Sequence, residues 1–516
     1  MGCCDVKDVR PYSVFVLVLL LLAYLLNQLD RYMLAITVKP MAQDVHFGDH
    51  DCMVNTSFTD VEVGEVKCNA KNETSCVSTL SINTSLQVCK WDYDGQGFEY
   101  QIVAGPAFTA IYTFTGIFIA FAADVFNRKL LLAICLMFWS LMTLLTGFIN
   151  SYWQLVILRF GLGMGEAGCT PFATSLISDY FSESTRGSAL GLYNWGIYMG
   201  YSLSYAVGNF ITAANINNQG WRWSFFISGI PGLVLGIVIL LAVKEPERKT
   251  KSEKEKSGSR KNVLKRLGTI LKPFCSPSLL LLCFAGSVRN AAGYVWAYNT
   301  QPFFSSTGQT AEQIGTFMSW IPLVGGSIGV VLGGFISDRI VQRRGLYARV
   351  IVLVLSQLLA APFAAGTLLF SAPWGYICQI PTYIIGEMWV GVTLAVLVEL
   401  VPTSIRTGAV AVYLFIITNI GGTVPLAVPP LQQSFVDLGY TKNESLKDAL
   451  YILYSGMYVG GSAMFLVTML VLKRDQRRVK ENEYKTEEPS PDTEKKPDNV
   501  QLSSVTSAGD KERERF

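Results

Sequence analysis

A chain of 516 residues with half of them in the hydrophobic set and a positive mean hydropathy lies outside the composition of soluble enzymes. Its 42 Lys and Arg nearly cancel its 39 Asp and Glu, so the net charge of +3 gives no reason to expect a nucleic-acid partner. No metal cluster, nucleophile triad or phosphate loop stands in a water-facing segment, which argues against an enzyme.

The first apolar run, Leu17 to Leu26, follows Lys7 and Arg10, as in a secretory signal peptide. It lacks a small-x-small cleavage site and continues through Asn27, Asp30 and Arg31 into Met33 to Val38, so it reads as a retained helix. Each crossing of a hydrocarbon core about 30 Å thick takes roughly 20 apolar residues. On that measure the spans are 12–37, 100–123, 130–149, 153–179, 187–213 and 221–243, then 277–304, 311–337, 348–370, 373–400, 406–431 and 449–472. The fold class is therefore an all-α membrane protein, twelve helices in two six-helix bundles, residues 12–243 and 277–472. Residues 1–11 form a short N-terminus in which Cys3 and Cys4 are open to palmitoylation, while Val6 stands where myristoylation prefers Ser or Thr.

Arg128 and Lys129, Arg186, Arg339, Arg343, Arg344 and Arg349, and Arg406 fall in alternate short loops, and the opposite loops near 150, 215, 307 and 371 carry none. The positive-inside rule makes the charged loops, and with them both termini, cytoplasmic. The polar insert 38–98 carries sequons at Asn55, Asn72 and Asn83 and the cysteines Cys52, Cys68, Cys76 and Cys89, which suit an oxidising, glycosylating exterior. A further sequon, Asn443, is ten crossings away and so on the same side. Four cysteines allow three pairings, and sequence does not choose among them. Segment 244–276 is a basic cytoplasmic linker, and 473–516, half charged with Pro and Ser between, predicts a disordered tail.

The halves repeat. Gly165-Glu166 recurs as Gly386-Glu387, and Arg186-x-x-Ala189-x-x-x-Tyr193 recurs as Arg406-x-x-Ala409-x-x-x-Tyr413, at offsets of 221 and 220 residues. Ala120-x-x-x-Asp124 before Arg128 matches Gly334-x-x-x-Asp338-Arg339 before Arg343. We expect a cytoplasmic latch in which Asp124 or Asp338 pairs with Arg186 or Arg406; the plainer alternative is that these residues only stop helices and set topology. Glycines four apart, at Gly325, Gly329 and Gly333, Gly161 and Gly165, and Gly196 and Gly200, predict close helix packing, and Pro425, Pro429 and Pro430 predict a broken eleventh span.

An ionisable side chain in mid-span costs about 2.5–3.5 kcal/mol on insertion scales and is a functional candidate. Asp30 and Arg31 in span one, Arg159 and Glu166 in span four, Arg289 in span seven and Glu387 in span ten meet that description. Arg159 and Glu166, seven residues apart, project from one helix face. If spans one, four, seven and ten surround a cavity, Asp30 and Glu166 share Arg31 and Arg159 as partners, and protonating a carboxylate frees a cation for an anionic headgroup. The alternative is a set of static ion pairs that keep helices in register.

Asn27-x-x-Asp30-Arg31, Arg159-Phe160-Gly161-x-Gly163-x-Gly165-Glu166-Ala167, Ile177-Ser178-Asp179-Tyr180-Phe181 and Trp221-Arg222-Trp223 followed by Pro231-Gly232 and Glu245-Pro246 resemble the major facilitator superfamily, and within it the spinster-like branch of lysolipid and sphingolipid transporters. The resemblance spans residues 12 to 472 apart from the insert. It implies a monomeric alternating-access carrier for a small amphiphilic solute, with membrane lipid around it, no cofactor or metal beyond a proton gradient, Asp30 and Glu166 as proton-responsive groups and Arg159 as anion partner. Two features depart from it: Asp124 is followed by Val125 where the family has Arg, and the long insert is closer to organic-ion carriers of the superfamily. An organic-ion or polar-metabolite carrier and a non-transporting receptor that binds through the insert are therefore the competing readings, and both surface and endolysosomal membranes suit the chain. A lipid route predicts an apolar seam, open to the bilayer, between spans five and eight.

Overall fold

The computed structural model describes residues 10–54, 68, 70, 73–78, 89–246, 268–269, 271–402 and 405–487. Asn55, Asn72, Asn83, Cys3, Cys4, most of the basic linker and the tail beyond Glu487 lie outside the described residues. Among the described residues nine helices are long and apolar enough to cross a membrane. Three further helical segments stand where the sequence places spans two, four and five: Pro106–Val125, Tyr152–Glu166 followed by Cys169–Tyr180, and Glu183–Ala214. The order is consistent with twelve crossings.

Span one is Pro11–Val45, with Pro11 in the first turn, where a missing amide proton costs nothing, and His46 closing the helix in the left-handed region. It runs eight residues past the expected end at 37. Within the insert, β1 (His50–Val54) and β2 (Cys89–Tyr93) pair as a two-stranded antiparallel hairpin, with His50 opposite Tyr93 and Asp51 opposite Asp92. Cys52 is joined to Cys76 and Cys68 to Cys89. Spans four and ten each break, at Ala167–Gly168 and at Glu387–Met388, in the same place of the repeat. Span eleven breaks as expected: Arg406–Thr423 passes into a 3-10 turn at Val424–Ala427 and resumes as Val428–Asp437. The last helix, Gly456–Glu487, continues fifteen residues into the segment expected to be disordered. Its Lys, Arg, Glu and Gln are good helix formers with no Gly or Pro among them, and extending an existing helix needs no new nucleus.

Four apolar cores show how the halves meet. On the face that carries the linker, one core holds Leu20, Leu136, Phe172 and Ile239 of the first half, and a separate one holds Leu282, Leu353, Val396 and Phe465 of the second. On the face that carries the insert the halves share their cores: Ile36, Tyr201 and Tyr205 pack with Val295, Trp296 and Ile314, and Tyr298 joins Leu29 and Met33. Hydrogen bonds follow the same division. Tyr100 donates to the Tyr298 carbonyl at 2.5 Å, Gln101 to Asn299 at 2.9 Å, and Asn209 and Gln301 bond reciprocally, all toward the insert face. The bundle is thus sealed on its insert side and parted on its linker side.

Small residues set the helix spacing. A Cβ on Gly200 of span five would lie 2.3 Å from the Leu25 carbonyl oxygen and 2.7 Å from the Gln28 Cβ of span one. Because the obstacle is backbone, Gly200→Leu must push the two helices apart. We expect it to cost about 1–3 kcal/mol, the usual price of overpacking, read as a lower thermal midpoint of the protein in detergent, with Gly187→Leu, which meets nothing within 4 Å, as the unaffected control.

Candidate functional site

Asn27, Asp30 and Arg31 share one face of span one, three and four residues apart, and all are buried. The Arg31 guanidinium reaches Glu166 Oε2 with Nη2 at 2.9 Å and Nε at 3.1 Å, and lies over the rings of Phe108 and Tyr112 at 4.7 and 4.8 Å. Glu166 ends the first segment of span four, where Gly163 and Gly165 let span four approach Phe108 and Trp139 closely. The second half repeats the device. Arg289 of span seven donates through Nη2 to Glu387 Oε1 at 3.0 Å and to the Gly386 carbonyl at 2.9 Å, and through Nε to Gln357 at 2.5 Å. Its guanidinium lies over Tyr458 and Trp389. In each half an arginine of the first helix therefore holds a glutamate at the break of the fourth.

The two devices differ in access. Glu166 is 0 % exposed, and Glu387 is 20 % exposed and accepts a hydrogen bond from Tyr198 of the opposite half at 3.3 Å. Between them Tyr32, Tyr112, Tyr198, Tyr294 and Tyr383 are only half-buried, although they stand at the centre of the bundle. Tyr32 meets Tyr201 edge-on at 4.7 Å, and Tyr294 stacks on Tyr298 at 5.8 Å. Their accessible faces mark a central chamber between the halves that is aromatic on its sides, with Glu387 reaching it and Glu166 closed behind Arg31.

Asp30 is not where the shared-partner expectation puts it. Its two oxygens are buried and make no ion pair among the described residues; Glu166 takes Arg31 alone, and Arg159 donates to the Arg31 carbonyl at 3.4 Å, leaving its Nη2 unpartnered. Thr143 and Ser228 adjoin Asp30 with their hydroxyls, each of which also reaches a carbonyl of its own helix, Trp139 and Phe225.

The latch is also rearranged. Asp338 pairs with Arg349 at 2.8 Å and not with Arg406, because the short turn at Gly345 folds the start of span nine back on the end of span eight. Arg349 also holds Glu399 at 3.0 Å, and its counterpart Arg128 holds Asp179 at 2.6 Å and Glu245 at 2.9 Å. Arg186, Arg339 and Arg406 make no ion pair among the described residues, and the Asp124 side chain is outside them. Sequence reasoning missed Asp179, Glu399 and the role of Arg349, although Arg128 to Arg349 and Asp179 to Glu399 repeat at 221 and 220 residues. Asn443 is exposed and donates to the Ser306 carbonyl at 3.1 Å.

Between spans five and eight the contact runs from Asn209 and Gly315 through Tyr198 against Gly326 to Trp195, which donates to Ser327 at 2.5 Å. One and two turns farther toward the linker face, Gly191, Gly187 and Gly334 meet nothing within 4 Å, and Leu192, Val331 and Phe335 are exposed.

The model of the Major Facilitator Superfamily matches residues 20–425. The chain is 27% identical over 383 residues to an MFS-type efflux pump of Mycolicibacterium smegmatis, covering 72% of this chain and 84% of that protein. It is 25% identical over 395 residues to protein spinster homolog 1 of Xenopus tropicalis, covering 72% and 73%. Over 130 residues, 25% of each chain, it is 35% identical to the sphingosine-1-phosphate transporter SPNS2 of Danio rerio. Among solved structures, a bacterial homolog to the human lysosomal transporter Spinster, inward-facing and unoccupied, superposes with a TM-score of 0.66 at 21% identity, covering 92% of this chain and 99% of that one, a likeness of fold.

Removing one member of a buried ion pair leaves an uncompensated charge, at a cost of about 3–5 kcal/mol. Arg31→Met should therefore lower the thermal midpoint more than the double variant Arg31→Met/Glu166→Gln does. Equal losses in the two would contradict the pairing.

Proposed function

We propose, for a chain that belongs to the Major Facilitator Superfamily and is spinster-like within it, proton-coupled transport of an amphiphilic, lipid-derived solute by alternating access. The observation that carries this reading is the seam between spans five and eight, where a continuous contact stripe stops at Trp195 and Ser327 and leaves exposed apolar side chains beside the chamber. On this reading an anionic headgroup competes with Glu166 and Glu387 for Arg31 and Arg289, which are buried against aromatic rings, and its hydrocarbon tail lies along Leu192, Val331 and Phe335 toward the bilayer. A fully polar metabolite has no use for that apolar opening.

Charge balance supplies the coupling. Asp30, Glu166, Arg31 and Arg159 together sum to zero, and a proton added to the set leaves it one positive charge in a low-dielectric interior. A monoanionic headgroup restores neutrality, so proton and solute enter together. Asp30 is the receptor for that proton, because it is buried without an ion-pair partner, beside the Thr143 and Ser228 hydroxyls, one of which accepts from the neutral acid. Asp30 and Glu166 are sealed in the linker-open state, and the transition to the opposite state is what brings water to them.

The linker face is cytoplasmic on this reading and the insert face is the exterior, which at the cell surface or in an endolysosomal lumen gives the insert its sugars and its disulfides. In vesicles with an imposed pH gradient and a panel of lysolipids and organic anions, Asp30→Asn and Glu166→Gln should each lower gradient-driven uptake by about 5- to 150-fold, the range of a 1–3 kcal/mol coupling. Undiminished proton-dependent flux in both variants would refute the assignment, and uptake confined to organic anions without a tail would replace the lipid by a polar solute.

A further inference from the structure

The insert is tied to the first half of the bundle as a rigid piece. Gln43 of span one donates to Asp92 at 2.5 Å and to the Tyr93 carbonyl at 2.7 Å, and a Cβ on Gly95 would lie 2.9 Å from the Val38 carbonyl oxygen. Lys39 of span one and Lys90 of β2 complete the set of charges around Asp92, at 3.7 and 3.3 Å. The open end of the hairpin is closed by the Asp94 amide, which donates to the Asp49 carbonyl at 3.0 Å. Three carboxylates gather at that end: Asp49, Asp51 and Asp94.

All three face one lysine of the second half. Lys442 Nζ lies 2.6 Å from Asp94, 3.8 Å from Asp51 and 3.9 Å from Asp49. Lys442 is the first residue of a short helix, Lys442–Leu450, whose start is fixed by a reciprocal cap between Thr441 and Glu444. Its carbonyl accepts from Gln432 of span eleven at 3.2 Å, so the lysine moves with the second half. The hairpin moves with the first. This junction sits over the insert face, above the bonds of Tyr100, Gln101 and Asn209 that seal it.

We propose that the insert hairpin is the outer jaw of the gate, and that Lys442 held among Asp49, Asp51 and Asp94 latches the insert side shut while the linker side is open. The inference rests on the alternating-access reading for its purpose but on the ion contacts for its existence. Opening the insert side must carry Lys442 away from the hairpin, because the two are fixed to opposite halves. Three carboxylates then face one another without a cation, and their mutual repulsion favours reclosure. A single exposed pair would do little. Here one ammonium meets three carboxylates, and Asp94 is 19 % exposed, so the network is screened less than an open surface pair.

The test is a distance measurement that needs no solute. Spin labels at Phe98→Cys in the first half and Leu438→Cys in the second, both exposed positions near the insert face, report its opening by double electron–electron resonance in nanodiscs, in a background whose free cysteines are serine. Lys442→Glu should move the population ratio from the short toward the long distance by about fivefold, the low end of ordinary two-state coupling. The exchange Asp94→Lys/Lys442→Asp should restore part of the short-distance population, which a fold defect would not do. About 1 M salt, where the screening length falls to about 3 Å, should lengthen the distance in the parent and leave Lys442→Ala unchanged. A Lys442→Glu distribution identical to the parent's at low salt overturns the latch. The shift seen in a protein that moves no solute would sustain the latch and refute the carrier reading, whereas proton-linked flux with no shift would do the reverse.

Discussion

A buried arginine that holds a glutamate in each half constrains everything else in this bundle. Neither charge is tolerable alone in a hydrocarbon-surrounded interior, and pairing them across the first and fourth helices of a half fixes how those helices sit. Arg31 with Glu166 and Arg289 with Glu387 thus make each six-helix half a rigid unit with a polar seam facing the other half. Rigid halves meeting at a polar seam are what rocking about a central chamber requires. The breaks after Glu166 and Glu387 are part of the same device, since they place a glutamate at a helix end, where backbone carbonyls such as that of Gly386 add to the arginine's partners.

The halves are alike in plan and unlike in access. Glu166 is closed behind Arg31, and Glu387 is open to the chamber and bonded to Tyr198 of the other half. Asp30 and the free nitrogen of Arg159 belong to the first half only. The first half therefore holds the buried charges without an ion-pair partner, and the second holds the glutamate that reaches the opposite half. On the proposed proton-coupled reading this asymmetry gives a duplicated scaffold a direction, with water excluded from Asp30 in one state and admitted in the other.

Hydropathy made the membrane spans legible, and the repeat at 220–221 residues made the two halves legible, because apolar length and register survive in a single sequence. The charged mid-span residues were legible as a group, since their insertion cost marks them. Their pairing was not: helix phase decides whether Arg31 meets Asp30's neighbours or Glu166, and phase within an almost uniformly apolar helix leaves no periodic trace in the sequence. The breaks at Ala167 and Glu387 were hidden for the same reason, although the run of glycines before Glu166 hinted at one. Arg349 was read only as a loop charge, and Lys442 drew no reading, because their partners come from segments that folding, not spacing, brings near. The tail's composition pointed to disorder up to Lys473, and helix extension through Glu487 prevailed there over charge.

On the proposed reading, a molecule with mirrored ion pairs and a parted linker side exposes one central site to each face in turn. Solute counterflow tests that claim most directly: vesicles loaded with unlabelled lysolipid, with no pH gradient, are mixed with a trace of labelled solute outside. A site that reorients while occupied predicts a transient accumulation of label above its equilibrium level. Label that only rises monotonically to equilibrium, or stays outside, would contradict it.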